Sequence, residues 1–214
     1  MTRTRVLVSF SGGCDSTLLL HHAARIYGTP QTPVRALSIT ASQVAAGKRE
    51  SEARTKIIRE LKRRGLHIIQ EEISIDIRHG DGLKHHGLPQ AVLWLYGSQL
   101  LNEDEVFGMG YVHGDDWLTL QTEFRQIFDS LQRIAGRSGT LWTPLQYTEK
   151  RGVIHQLRRL KLMDKVWWCE APVKRRAGPC GRCHSCQSHE TAVWKLEKFG
   201  PGQMWKGDYG EGVR

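Results

Sequence analysis

Residues 6–20 read "VLVSFSGGCDSTLLL", and this stretch decides the fold. An apolar run ends in a serine and two glycines and passes straight into a leucine-bearing segment. Such a junction lets backbone N–H groups converge on an anion at a strand's end, while the start of the helix adds partial positive charge. The stretch therefore predicts a phosphate cradle between a first strand at 6–10 and a first helix at 16–27, with Leu18, Leu19 and Leu20 on the inner side of the helix. It is not the GxxxxGK[ST] loop, since no lysine follows the glycines and Asp15 stands where that loop has its basic end. An aspartate beside phosphates either holds Mg²⁺ or orients the loop. The alternative is an ordinary glycine turn with an Asp or Ser helix cap. Cys14 reads as a small buried spacer rather than a nucleophile.

Working outward, strand and helix signals alternate, the pattern of a parallel sheet flanked by helices. Strands are expected at 34–39, 67–75, 105–110 and 141–143, and helices at 49–64, 90–101, 122–134 and 149–160. In the 49–64 segment Ala53, Ile57, Ile58 and Leu61 recur at helical spacing, so it reads as an amphipathic helix whose mixed Glu, Lys and Arg residues are solvated. "DIRHGDGLKHHGLPQ" (76–90) is a polar loop long enough to cover a site. A short helix is expected after Cys186, running to Phe199, and the tail "GPGQMWKGDYGEGVR" is a loose or docking end.

The chain has 214 residues, 39% of them hydrophobic, enough for one full-sized core with a small appendage. The division expected is an α/β domain at 1–165, a cysteine module with its helix at 166–199 and a tail at 200–214. A formal net charge of +9 favours anionic partners. Neither a signal peptide nor a run of roughly 18 apolar residues is found, so a cytoplasmic location without membrane contact is expected.

Four of the five cysteines fall between Cys169 and Cys186. In "CEAPVKRRAGPCGRCHSC" the CxxC turns of Cys180, Cys183 and Cys186 present thiolates to one tetrahedral ion, and Cys169 closes the shell. The reading is structural Zn²⁺ with no open position for water. An iron–sulfur cluster is the rival. His184 and His189 read as solvated neighbours rather than ligands.

The "SGGCDS" arrangement of Ser11, Gly12, Gly13, Asp15 and Ser16 resembles the PP-loop of the ATP pyrophosphatase superfamily, with an adenine nucleotide alpha hydrolase-like fold. Together with "TPL" at 143–145, Lys150, "WWCEAP" and "CGRCHSC", it makes the chain resemble the 7-cyano-7-deazaguanine synthase (QueC-like) branch over residues 5–199. The resemblance implies that Ser9, Ser11, Gly12, Gly13, Asp15, Ser16, Thr17 and Gly110 contact the nucleotide. It implies that Asp15, Ser16, Lys150 and Asp115 serve catalysis, with Mg·ATP and Zn²⁺ bound. Lys150 is expected to meet the ATP phosphates, and Gly110 and Asp115 come from "GMGYVHGDD", in the place of the family's strand-four motif. Asp116 is a helix cap in the other reading.

The chemistry so implied is ligase-type activation of a carboxylated deazaguanine. The carboxylate attacks the α-phosphorus of ATP, pyrophosphate leaves, ammonia displaces AMP to give an amide, and a second ATP drives dehydration to the nitrile. Three segments depart from the family pattern: "SITASQVAAGKRE", "HHGLPQAVLWLYGSQ" and "DDWLTLQTEF". They are expected to line the base pocket, so a relative that hands the activated base to another nucleophile, such as a protein amine in a phage or antiphage-defence setting, is the alternative. PP-loop enzymes also modify tRNA. The basic runs together with Trp167, Trp168, Trp194 and Trp205 are the features that would serve such binding, although Trp167 and Trp168 read more simply as packing for the cysteine module. A non-catalytic nucleotide-binding module is a third class. Relatives commonly pair as homodimers, for which the aromatic tail is a candidate interface.

Overall fold

The structure, a computed structural model, describes residues 4–41, 47–75, 94–115, 119–173 and 178–205. Its centre is β1 (Arg5–Ser9). With β2 (Val34–Ala41), β3 (Ile68–Ile75), β4 (Glu105–Gly108) and β5 (Thr140–Trp142) it forms one sheet of order β3-β2-β1-β4-β5. Every pairing is parallel. All carboxyl ends therefore lie at one edge, and the strand order reverses at β1, whose neighbours are β2 and β4. Loops at such a switch point splay apart and leave a crevice. The loop after β1 opens into it.

Side chains of β1 alternate between the sheet's two faces, and both faces are covered. Val6, Val8 and Phe10 pack with Leu18, Leu19 and Leu20 of α1 (Cys14–Ile26) and with Ala53, Ile57, Ile58 and Leu61 of α2 (Gly47–Arg63). Leu7 points the other way, into a cluster with Leu37, Phe107, Leu141, Trp94 and Leu95. Phe124 and Phe128 of α3 (Gln121–Ile134) join it there. Val153 and Leu157 of α4 (Lys150–Arg159) close the first face. Residues 94–97 are helical and run into a 3₁₀ turn at Ser98–Leu100.

The expected α/β architecture holds, with shifts at element ends. α1 begins at Cys14, two residues before the expected start, because Gly13 supplies the extended N-cap backbone. α5 (His184–Phe199) begins before Cys186 rather than after it, since Cys183 is its N-cap and Cys186 rides in the first helical turn. The solvated reading of α2 fails at one residue. Arg54 is only 1% exposed, while Ala53, Ile57, Ile58 and Leu61 are buried as the spacing required.

Residues 200–205 of the tail dock. Gln203 O accepts from Glu149 N at 3.0 Å, and Trp205 O accepts from Gln156 Nε2 at 3.2 Å. The Trp205 ring meets His22 and Trp142 edge-on, at 4.6 and 6.0 Å between centroids. The polar loop at 76–90, the start of the helix expected at 90–101, and Asp116 lie outside the described residues. Among the described residues no helix is long and apolar enough to cross a membrane.

Candidate nucleotide site and metal centre

Gly12 sits at φ +86°, a left-handed backbone that glycine adopts without a Cβ penalty. This bend turns the chain from β1 into α1. Ser11 Oγ accepts from Gly13 N at 3.2 Å and lies 3.0 Å from Ser16 Oγ, which also donates to Gly13 O at 3.4 Å. The helix N-cap is Gly13, with no side-chain cap bond, so the plain Asp or Ser cap is not what is built here. The loop is a self-braced turn at the positive end of a helix. Cys14 beside it is buried, and burial pushes its thiol up to about 12, which makes it inert as a nucleophile.

Asp15 and Lys150 are 135 residues apart in sequence, and the fold joins them in an ion pair, Lys150 Nζ donating to Asp15 Oδ2. The first residue of α4 thus reaches the first turn of α1. Burial opposes the ammonium charge, but Asp15 and more distantly Asp115 outweigh it and hold Lys150 above the ordinary lysine range. The other carboxylate oxygen of Asp15, Oδ1, is buried with no hydrogen-bond partner among the described residues. A buried acceptor left unmatched is costly unless a further donor or a cation completes it. That observation, at the first turn of a helix beside the glycine bend, fits a Mg²⁺–phosphate group.

Gly110 belongs to the same place. A methyl there would stand 3.0 Å from the Asp15 carbonyl carbon and from Ser16 N, so glycine lets the post-β4 segment lie against the start of α1 without crowding its backbone. Asp115 Oδ2 accepts from Val112 N at 2.9 Å, which folds that segment into a turn. Ser9 and Thr17 are buried beside the loop, and Thr17 Oγ1 has no partner among the described residues. The structure thus gathers Ser11, Gly12, Gly13, Asp15, Ser16, Gly110 and Lys150 at one crevice, with Asp115 acting on it through charge.

The Sγ atoms of Cys169, Cys180, Cys183 and Cys186 all lie within 4.8 Å of one another, an arrangement that can hold a metal ion. Cys180 Sγ accepts from Arg182 N at 3.4 Å and from Cys183 N at 3.3 Å, and Cys169 Sγ accepts from Cys180 N at 3.3 Å. Backbone N–H groups of Arg182 and Cys183 pull the Cys180 thiol down to about 6, toward the thiolate that metals bind. Trp167 and Trp168 pack against this cluster, as expected of the module. His189 departs from the solvated reading. It is buried and stacked on Trp168 at 3.9 Å, and burial, followed by the nearby cations, lowers its pKa to about 4. His184 is exposed, as expected.

The two sites touch. Trp167 N donates to Gly12 O at 3.0 Å, so the segment entering the cysteine cluster is hydrogen-bonded to the glycine loop.

Comparison with solved structures finds a U34-tRNA thiolase, NcsA from Methanococcus maripaludis with its [4Fe-4S] cluster. It is 14% identical, with a TM-score of 0.53, and the alignment covers 94% of this chain and 69% of that one. The likeness is one of fold. No protein-family model and no curated protein matches the chain.

Sequence reading missed Arg54 and His189 as parts of these sites, and it placed Trp167 at the cysteine module without its bond to Gly12. An arginine followed three residues later by buried Ile57 carries a face signal. Its burial, however, depends on a strand partner that only the sheet supplies.

Proposed function

We propose that this chain is an ATP-using enzyme of the PP-loop type that cleaves ATP between the α and β phosphates. The observation that carries the reading is the Asp15–Lys150 pair beside the glycine loop, with Asp15 Oδ1 unmatched among the described residues. The cradle's N–H groups and the α1 terminus bind and orient the phosphates. Lys150 supplies a positive charge where pyrophosphate departs. Asp15 both holds Lys150 in place and offers an oxygen to Mg²⁺, which when bound neutralises phosphate charge.

The acceptor we propose is a 7-carboxy-7-deazaguanine-type base, as the QueC-like pattern of Lys150 and the cysteine module suggests. Its carboxylate oxygen bonds to the α-phosphorus as the bond to the β-phosphate oxygen breaks, giving an acyl adenylate and pyrophosphate. Ammonia then replaces AMP to form the amide, which a second ATP converts to the nitrile. The four cysteines are proposed to hold Zn²⁺. With Zn–S bonds of about 2.3 Å, a tetrahedral set places its sulfurs roughly 3.8 Å apart, and Cys180 Sγ and Cys186 Sγ are 3.9 Å apart. An iron–sulfur cluster interposes several irons and sulfides and spreads its ligands wider.

A second reading, a tRNA-modifying enzyme, draws support from the thiolase likeness and the charge of +9. One experiment separates them: mass spectrometry of products from Mg·ATP with 7-carboxy-7-deazaguanine and ammonia, beside a parallel reaction with tRNA. AMP with amide or nitrile supports the first reading. Pyrophosphate released only with tRNA replaces it with the second, and no pyrophosphate in either reaction refutes ATP pyrophosphatase chemistry with these acceptors.

A further inference from the structure

Arg54 is a guanidinium with almost no solvent contact, and it lies in no catalytic set described above. Its side chain is 1% exposed, the bulkiest of the fully buried residues. Long cations are seldom buried so completely unless something fixes both the charged end and the stem. Both are fixed here. Nη2 donates to Glu72 Oε1 on β3 at 2.8 Å and to Thr40 Oγ1 on β2 at 3.2 Å, and Nη1 stands 3.9 Å from Glu50 Oε2 one turn back. The stem then passes directly behind the phosphate loop. A methyl built on Gly12 would stand 3.0 Å from Arg54 Cγ and 3.2 Å from Glu50 O. On its other side Gly12 is held by the Trp167 N–H, 3.0 Å from Gly12 O.

We propose that Arg54 is a positioning residue for nucleotide binding: its guanidinium clamps α2 to the β2–β3 edge so that its stem backs the left-handed Gly12 peptide and keeps the loop's N–H groups aimed at phosphate. This rests on the ATP reading above. A backbone cradle has no side chain of its own to hold its shape, so its precision comes from what packs behind it. The loop's internal hydrogen bonds run through Ser11, Gly13 and Ser16 and leave the Gly12 bend to its neighbours. An i,i+3 or i,i+4 pair along α2 could satisfy a solvated arginine. The long-range bonds to Glu72 and Thr40 are what a fixed backing requires.

The test is calorimetric titration of Mg·ATP into the full-length wild type, Arg54→Ala, Arg54→Lys and Glu72→Gln, with thermal unfolding of each. In Arg54→Ala the stem is gone, and Kd is expected to rise on the order of tenfold or more. In Arg54→Lys the stem and charge remain, and most of the affinity is expected to return. Glu72→Gln loosens the clamp alone and should raise Kd a few-fold. A merely structural role would lower the melting temperature in step with Arg54→Ala while leaving the folded fraction's Kd unchanged, and that result overturns the proposal. If Arg54→Ala does not fold, a wild-type Kd in Glu72→Gln, where only the clamp is loosened, overturns it equally. A wild type that binds no Mg·ATP refutes the nucleotide reading itself, an outcome distinct from a binding wild type with indifferent variants.

Discussion

The Asp15–Lys150 pair invites a double-mutant cycle, because each charge is the main compensation of the other. Asp15→Asn leaves an ammonium partly buried with only a neutral amide beside it. Lys150→Met leaves a carboxylate whose second oxygen already lacks a partner among the described residues. Removing one member of a fully buried pair costs roughly 3–5 kcal/mol. These side chains keep 20% and 24% of their exposure, so solvent screening brings the expected cost of each single variant to about 1–3 kcal/mol. In a chain of this size that lowers the melting temperature by about 3–10 °C. The double variant removes both charges together, so it should be no less stable than either single one, giving a coupling energy of about 1–3 kcal/mol. Urea unfolding of the four proteins at pH 7 measures it. Activity adds a second readout: Asp15→Asn should abolish AMP release, and Lys150→Met should slow it on the order of a hundredfold or more. Additive stabilities within about 0.5 kcal/mol would refute the pair as an energetic unit, and an active Asp15→Asn would refute its role in ATP cleavage.

Cys183→Ser should lower metal content by elemental analysis and thermal stability together, and a variant of unchanged stability would make the metal incidental to folding. Cys14→Ala, at a buried thiol held near 12, should leave nucleotide turnover within about twofold. Loss of activity in a stable, folded Cys14→Ala protein would restore the nucleophile reading. His21 is buried, and burial, followed by His22, Arg64 and Arg25, lowers its pKa from 6.5 to about 4. Between those values the unfolded chain holds the extra proton, so stability should fall as pH drops from 6.5 toward 4. The contribution is on the order of 3 kcal/mol when the window is crossed. Urea unfolding of His21→Gln should show a shallower pH slope there than wild type, and equal slopes would refute the assignment.

What was legible in the sequence was what one element writes locally. Apolar runs at 6–10 and 34–39 and leucines at 18–20 have periods that strands and helices impose, so the alternation of β and α, the cradle after β1 and the cysteine spacing could be read directly. The start of α5 could not, because a helix that opens on Cys183 looks in sequence like a ligand turn.

The chain's residue order by itself determined the glycine bend, the acidic first turn of α1 and the set of four thiols. Only the tertiary structure decided that Lys150 meets Asp15, that Gly110 lies against the start of α1, that Trp167 bonds to Gly12 and that the Arg54 stem lies against Gly12. The reason is physical: local periodicity follows from backbone geometry within a few residues. A contact across 135 residues follows from strand order and helix packing, here the packing of α4, the helix after β5, against α1 on one face of the sheet.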